Sequence, residues 1–196
     1  MIKLVCGVGI NDGSIKATLN GKMLKEYDLW KRMLLRVYSK TYLEKHPTYV
    51  GCCVSNTFRY YHLFHAWCQT QIGFNTLGFA LDKDLLFKGN KQYSENTCVF
   101  IPQDINNLIT NRKMSRGIYP IGISKNGSRF QASCSVDGRS KYIGKFDTPE
   151  LAFQAYKTFK EAYIKEQAEL YKDSIDPRAY LALLTHEADI GDLSLG

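Results

Sequence analysis

Acidic and amide side chains gather in one short stretch of this chain. Asp82 and Asp84 flank Lys83, and Asn96 and Asn106 follow within the segment 81–108. Carboxylate and amide oxygens are hard ligands, which suit a magnesium-type ion that keeps several waters while it bridges a phosphate group. Side chains of these types are the ones that such an ion would need.

The elements that must position these side chains follow from the local pattern. Residues 81–87 are interpreted as a strand, and Gly89-Asn90 predicts a turn. Thr, Val, Phe and Ile in residues 97–101 favour a returning strand. Pro102 suits the first turn of a helix that runs through Leu108, so we expect a hairpin followed by a helix.

A second pattern begins after the basic segment 111–116, which we interpret as a linker close to nucleic acid. Residues 118–125, 129–136 and 141–146 predict three antiparallel strands, with hairpin turns at Asn126-Gly127 and Asp137-Gly138. Apolar and polar residues alternate strictly in the second strand, which indicates that the sheet has one buried and one solvent-exposed face. Thr148-Pro149-Glu150 opens a helix with an apolar face, which we expect to pack on the sheet.

The rest of the chain is expected to support these two regions. Asp28 is the expected N-cap of a helix through Val37, and residues 56–71 predict a second helix with an aromatic stripe. Residues 172–196 are expected to form a short helix near 177–184 and a loose acidic end. The expected fold class is α+β, with domains at 1–110 and 117–171, the linker 111–116 and the tail 172–196.

The net charge of +7 is unevenly distributed. Residues 1–116 hold 16 Lys and Arg against 8 Asp and Glu, residues 117–171 hold 8 against 6, and residues 172–196 hold 2 against 5. A strongly basic front favours polyanions such as nucleic acids. Apolar runs are too short to cross a membrane, so we expect a cytoplasmic protein without a membrane partner.

The cysteines and histidines give weaker signals. Six cysteines without a Cys-x-x-Cys pair predict reduced, mostly buried thiols rather than a disulfide framework or a zinc site. His62 and His65 have helical spacing, but spacing alone does not place them near Asp82. We expect both to be ordinary core or surface histidines.

The region Tyr119–Lys165 resembles the DNA-binding domain of plant ethylene-response factors, which also occurs in phage and bacterial mobile nucleases. The segments that carry the resemblance are YPIGISK, RFQASCS and KYIGKFDTPELAFQAYKTFK. In that family the helix packs behind the sheet, and the exposed face of the sheet lies in the major groove. The resemblance implies DNA-facing positions at Lys125, Arg129, Gln131, Ser133, Ser135, Lys141, Tyr142 and Lys145. This chain is poorer in arginine there than the plant domain.

The segment LDKDLLFKGNKQYSENTCVFIPQDINNL resembles the HNH (His-Me finger) motif of phage and intron homing endonucleases. An upstream block of the same kind contains Trp30-x-x-Met33, Arg36-x-Tyr38, Tyr49-x-Gly51 and an aromatic helix ending in Trp67. The resemblance implies a single divalent metal held by a hairpin and a helix. Its residues would be Asp82 as strand ligand, Asn106 as helix ligand, Lys83 at the general-base position and Asn96 at the orienting position, with Asp84 as a further acidic contact.

A lysine at the base position departs from the family, because a base near neutral pH is usually a histidine. Lys83 acts either as a base in an unusual environment or as a phosphate contact. The resemblance therefore predicts a homing or nicking DNA endonuclease, a monomer or homodimer that uses Mg²⁺ or Mn²⁺ and no organic cofactor. The alternatives are a catalytically decayed relative that acts as a DNA-binding factor or repressor, and a protein-interaction module.

Overall fold

A computed structural model describes residues 4–110 and 118–189, so the predicted linker 111–116 lies outside the described residues. The chain divides into two compact units, one of Met1–Ile101 with Ser174–Ala179 and one of Pro102–Asp173 with Tyr180–Gly196. The expected α+β class is confirmed. Among the described residues, no helix is both long and apolar enough to cross a membrane.

The first unit opens with a small antiparallel hairpin and continues mostly in helices. Its elements, in chain order, are β1 Thr18–Leu19, β2 Lys22–Met23, α1 Lys25–Tyr38, α2 Lys40–Lys45, a 3-10 turn Pro47–Tyr49, β3 Cys53–Val54, α3 Asn56–Arg59, α4 Tyr61–Thr70, β4 Phe79–Asp82, β5 Gln92–Tyr93 and β6 Val99–Pro102. Strand β3 pairs with β5 in parallel, and β4 is bonded to β6. Short strands thus bring distant parts of this unit together.

The apolar faces of α1 and α4 form the core of the first unit, as their aromatic stripes predict. Trp30, Phe58, Tyr61 and Phe64 are fully buried there. The indole nitrogen of Trp30 donates a hydrogen bond of 2.8 Å to the carbonyl oxygen of Phe58. Burial of large aromatic side chains is the main stabilising contribution to such a core.

Two helix predictions need correction. The single helix expected over 56–71 is interrupted at Tyr60, whose extended backbone pairs with Ile10. Ile10 accepts a hydrogen bond from the amide of Tyr61 and donates one to the carbonyl of Arg59. Helix α1 begins at Lys25, so Asp28 lies in its first turn, paired with Arg32, rather than at the N-cap.

The second unit contains the predicted three-stranded antiparallel sheet. Its elements are α5 Gln103–Ile109, β7 Ile123–Asn126, β8 Arg129–Val136, β9 Arg139–Phe146 and α6 Pro149–Tyr171. The strand order is β7-β8-β9, and Ile123, Ala132 and Cys134 face the buried side chains of α6. Helix α7, Pro177–Leu184, matches its predicted position.

The first strand of this sheet is shorter than predicted because of Gly122. Its φ of +76° belongs to the left-handed region that favours glycine. A Cβ at this position would lie 2.3 Å from the Tyr156 ring and 2.6 Å from the Ser133 carbonyl oxygen. The chain therefore bends at Gly122, and regular pairing begins at Ile123.

The six cysteines are free thiols, as expected. Cys52, Cys68 and Cys98 are buried in the first unit and Cys134 in the second, whereas Cys53 is exposed and Cys6 is half-buried. Burial raises the pKa of the Cys98 thiol to about 12 and also raises that of Cys134. The thiols of Cys98 and Cys134 are therefore protonated at neutral pH and poorly reactive.

Candidate functional site

Asp82 ends strand β4 and organises the turn that follows. Its Oδ1 accepts hydrogen bonds from the backbone amides of Asp84, at 2.8 Å, and Leu85, at 2.7 Å. These bonds end the strand at Asp82, five residues earlier than the sequence pattern predicts. Burial raises the pKa of Asp82, while the Leu85 amide opposes the rise and the Asp84 charge adds to it.

Lys83 points away from solvent and is held by neighbouring groups. Its Nζ forms an ion pair with Asp84 and donates a hydrogen bond of 3.1 Å to the Asn90 carbonyl oxygen. It also lies 5.6 Å from the centre of the Tyr93 ring. Lys83 is thus held by groups of its own loop, and the general-base role stays a prediction.

Asn90 holds the far end of the same loop. Its side-chain Nδ2 donates to the carbonyl oxygens of Lys83, at 2.6 Å, and Gln92, at 2.7 Å. Its Oδ1 accepts from the Gln92 amide at 3.1 Å. The sequence pattern predicts Asn90 only as a turn residue, but the structure shows that its amide ties both sides of the loop together. We call residues 82–92 the Asp82 loop.

The other two predicted site residues lie apart from these contacts. Asn96 is exposed, and its backbone carbonyl accepts a hydrogen bond of 3.4 Å from Arg178. Asn106 lies on α5 in the second unit, where its carbonyl oxygen accepts from the Thr110 hydroxyl at 2.6 Å. The structure thus brings Asp82, Lys83 and Asp84 together with Asn90, the residue that contacts Lys83 where Asn96 was expected to orient it.

The two helix histidines have other acidic neighbours. His62 Nδ1 lies 3.1 Å from Asp12 Oδ2, and His65 Nε2 lies 3.8 Å from Glu26 Oε1. Both acids belong to the N-terminal part of the first unit. These pairings match the expectation that His62 and His65 are ordinary surface or core histidines.

The ligand set near Asp82 is small. In residues 4–110 and 118–189, no group of three or more His, Cys, Asp or Glu side chains is arranged to hold a metal ion. Magnesium in phosphate chemistry is commonly bound by only one or two carboxylates, together with waters and substrate phosphates. The carboxylates of Asp82 and Asp84 fit that smaller requirement, although Lys83 shares Asp84.

The strand register of the second unit defines two faces of the sheet. On β8, Phe130, Ala132 and Cys134 face α6, so the alternating residues face outward. Directly opposite residues of neighbouring strands share a face, which adds members from β7 and β9. We call this the outer sheet face, and its members are Ser124, Asn126, Arg129, Gln131, Ser133, Ser135, Ser140, Tyr142 and Lys145.

A β-bulge places one residue predicted for the exposed sheet face on the other side of the sheet. Gly144 lies opposite Ala132 and Tyr142 opposite Ser133, so Ile143 is the extra residue. Beyond the bulge, Lys141 lies opposite Cys134 on the helix face, with its Nζ 4.9 Å from the centre of the Phe159 ring. Lys141 therefore does not belong to the outer sheet face.

Lys125 needs the same correction. It lies opposite Phe130, which is on the helix side of the sheet. The remaining six predicted positions share the outer sheet face, and Ser124, Asn126 and Ser140 join them. Alternation within one strand could not show these three, because their placement depends on the pairing of β8 with its two neighbours.

Side chains at one end of the outer sheet face contact one another. Asn126 Nδ2 donates to Gln131 Oε1 at 3.0 Å. Arg129 Nε lies 2.9 Å from Asp147 Oδ1, and Arg129 Nη2 donates to the Lys145 carbonyl oxygen at 3.4 Å. Amide and guanidinium groups are thus ordered next to each other on an exposed surface.

Comparisons of the chain with protein-family models, with curated proteins and with solved structures find no match.

Proposed function

We propose that this chain binds double-stranded DNA, with the outer sheet face in the major groove. The observation that carries the proposal is the composition of that face. It presents Arg129, Lys145, two amides and several hydroxyls, and Asp137, in a turn, is the one acid between Ile123 and Phe146.

These side chains have the chemistry that base reading requires. Arginine and lysine donate to guanine O6 and N7, Asn and Gln pair with adenine, and serine contacts either base. The major groove is wide enough to admit strands of a sheet. The ethylene-response-factor resemblance of residues 119–165 supports the same docking.

The bulge provides a matched pair of variants for this proposal. Lys145→Ala and Lys141→Ala remove the same charge from opposite faces of β9. On a duplex selected from a random library, we expect Lys145→Ala to weaken binding by about 1–3 kcal/mol, as the loss of a specific contact does. Lys141→Ala should weaken it less. Equal losses of DNA affinity for the two variants in a gel-shift titration would contradict the proposal that the outer sheet face contacts DNA.

We further propose that the first unit is a metal-dependent endonuclease. The supporting observation is the order of elements: β4 and β6 are bonded to each other, and α5 follows β6 directly. Two bonded strands followed by a helix is the order that the HNH resemblance implies, and Asp82 stands at the end of the first of these strands. Asn106 as helix ligand stays a prediction.

In this proposal Asp82 and Asp84 would hold Mg²⁺, which would stabilise negative charge on the leaving oxygen. Lys83 keeps the Asp84 carboxylate in place, and Asn90 fixes the loop that carries all three. The proton acceptor would be water or a phosphate oxygen rather than Lys83.

The cleavage test uses supercoiled plasmid with and without Mg²⁺ or Mn²⁺. Asp82→Asn keeps an oxygen that can accept hydrogen bonds from the Asp84 and Leu85 amides, but it removes the charge. As a control, Asp28→Asn makes the same change on the surface of α1. We expect Asp82→Asn to abolish metal-dependent nicking and to retain DNA binding, with Asp28→Asn active.

Three results are informative. Undiminished nicking by Asp82→Asn would disprove the metal assignment. If the parent does not nick but shows a salt-sensitive gel shift, the chain is a DNA-binding factor, and the endonuclease proposal is wrong. If the parent neither nicks nor shifts DNA, both proposals fail.

A further inference from the structure

Arg129 is the cation of the outer sheet face whose side chain is held at two points. Its Nε lies 2.9 Å from Asp147 Oδ1, and its Nη2 donates to the Lys145 carbonyl oxygen at 3.4 Å. Both side chains of the ion pair remain solvent-accessible, at 50% for Arg129 and 77% for Asp147. A flexible side chain is thus held in one orientation without being buried.

The contacts leave part of the guanidinium available. Asp147 occupies the Nε side, so Nη1 and the remaining hydrogen of Nη2 are left to donate. A guanine presents two acceptors, N7 and O6, to a donor pair of this kind. Holding the arginine before binding reduces the conformational entropy that recognition would otherwise cost.

Asp147 is not the residue that caps helix α6. The N-cap of α6 is Thr148, whose hydroxyl accepts a hydrogen bond from the Leu151 amide. An exposed ion pair such as Arg129–Asp147 contributes little to folding. Beside a DNA backbone, moreover, a carboxylate repels phosphates, so its presence next to the outer sheet face needs another reason.

We propose that Asp147 is a positioning residue that holds Arg129 against a guanine in the DNA site. The inference rests on the proposed function, because it names one base that the outer sheet face would read. Asp147 itself does not contact the base. It determines how strongly Arg129 distinguishes guanine from the other bases at one position.

The test separates a positioning role of Asp147 from the effect of its charge. Loss of positioning lowers the preference for guanine, whereas loss of the negative charge maintains or raises the overall affinity for DNA. Asp147→Ala removes the negative charge together with both oxygens that can hold Arg129 Nε, so its affinity for DNA of any sequence should stay equal or rise. Its preference for guanine at one position of the selected site should fall by about tenfold. Glu150→Gln, in the first turn of α6, makes the same charge change and should keep the preference.

The measurement is a set of gel-shift titrations with the full chain. The probes are the duplex selected from a random library, duplexes with one base pair changed at each position, and an unrelated duplex. Arg129→Ala identifies the position that Arg129 reads. Loss of preference at that same position in Asp147→Ala, with the other positions unchanged, supports the inference.

The remaining outcomes overturn it. If Arg129→Ala loses a guanine preference that Asp147→Ala keeps, Asp147 does not position the arginine, but the proposed DNA binding stands. Loss at every position in Asp147→Ala would indicate a damaged sheet, and the inference would be wrong. If the parent selects no sequence at all, the inference and the base-reading function fail together.

Discussion

Single residues in the Asp82 loop have roles that depend on their contacts rather than on their motif positions. Asn90 makes three side-chain hydrogen bonds to the backbone of the loop, whereas Asn96 is exposed. The residue that organises the backbone beside Lys83 is therefore the asparagine of the turn.

We expect Asn90→Ala to lower the free energy of unfolding by about 1–3 kcal/mol, because it leaves polar backbone groups without partners. Asn96→Ala, the matched control, should change it by less than about 0.5 kcal/mol, as exposed positions usually do. Urea denaturation of both variants checks this. A cost for Asn96→Ala as large as that for Asn90→Ala would show that the loop depends on other contacts.

The partly buried carboxyl of Asp82 predicts a pH dependence. Burial raises its pKa in the folded state, so the ionised form is disfavoured there relative to the unfolded chain. The folded state therefore loses stability as pH rises from about 3.8 through the raised pKa. A difference of one in pKa corresponds to about 1.4 kcal/mol, reduced here by solvent access.

Asp82→Asn should accordingly be more stable than the parent at pH 7, and the difference should disappear as pH falls to about 3, below both pKa values. Chemical denaturation at several pH values measures it. The opposite sign, with the parent more stable at pH 7, would show that the ionised carboxylate stabilises the loop. A destabilising acid that is nevertheless present is typical of functional positions.

At the scale of elements, the start of α6 depends on one hydroxyl. Thr148 Oγ1 accepts a hydrogen bond of 3.2 Å from the Leu151 amide, and Pro149 occupies the first helical position. We expect Thr148→Ala to cost about 1 kcal/mol, as the loss of an N-cap does. The thermal unfolding midpoint measures this loss of stability.

Thr158→Ala is the control within the same helix. The Thr158 hydroxyl donates to the Gln154 carbonyl, which already accepts a helical bond, and alanine has the higher helix propensity. We expect this variant to be neutral or slightly stabilising. Equal destabilisation by both variants would mean that the capping bond contributes nothing particular.

Periodicity predicted most elements correctly, and it failed where one segment depends on another. The sheet, helix α6 and helix α7 follow from alternation, turn residues and apolar spacing. The break at Tyr60 could not be predicted, because it arises from pairing with Ile10.

The faces of β9 show the same limit. A strict two-residue period places Lys141 beside Lys145, and the bulge at Ile143 separates them. Likewise, the types of Asp82 and Lys83 suggested chemistry, but their hydrogen bonds to the loop could only be read from the structure. Local patterns define elements, whereas register and loop contacts are set by tertiary structure.

At the scale of the whole molecule, the two units differ in charge. The first holds 14 Lys and Arg against 8 Asp and Glu, a net charge of +6, and the second holds 12 against 11, a net charge of +1. The unit with the outer sheet face is thus nearly neutral. We infer that most phosphate contacts of a DNA complex would come from the first unit.

This division predicts how DNA affinity depends on salt. The double variant Arg129→Ala/Lys145→Ala should lose sequence preference, while its salt slope falls by at most about 2, roughly one for each phosphate contact removed. Lys22→Gln/Lys31→Gln, at exposed positions of the first unit, should lower the slope and keep the preference. A slope that collapses in the first variant alone would assign the phosphate contacts to the second unit.

The thiols differ in exposure, so the rates at which they react would measure how often each core opens. A thiol reagent can reach Cys53 at once, whereas Cys68 and Cys98 react only when the first core opens, and Cys134 only when the sheet separates from α6. Mass spectrometry of the protein after increasing labelling times would therefore measure the opening of each core separately. A DNA duplex bound to the sheet would slow the reaction of Cys134, because binding lowers the population of opened molecules.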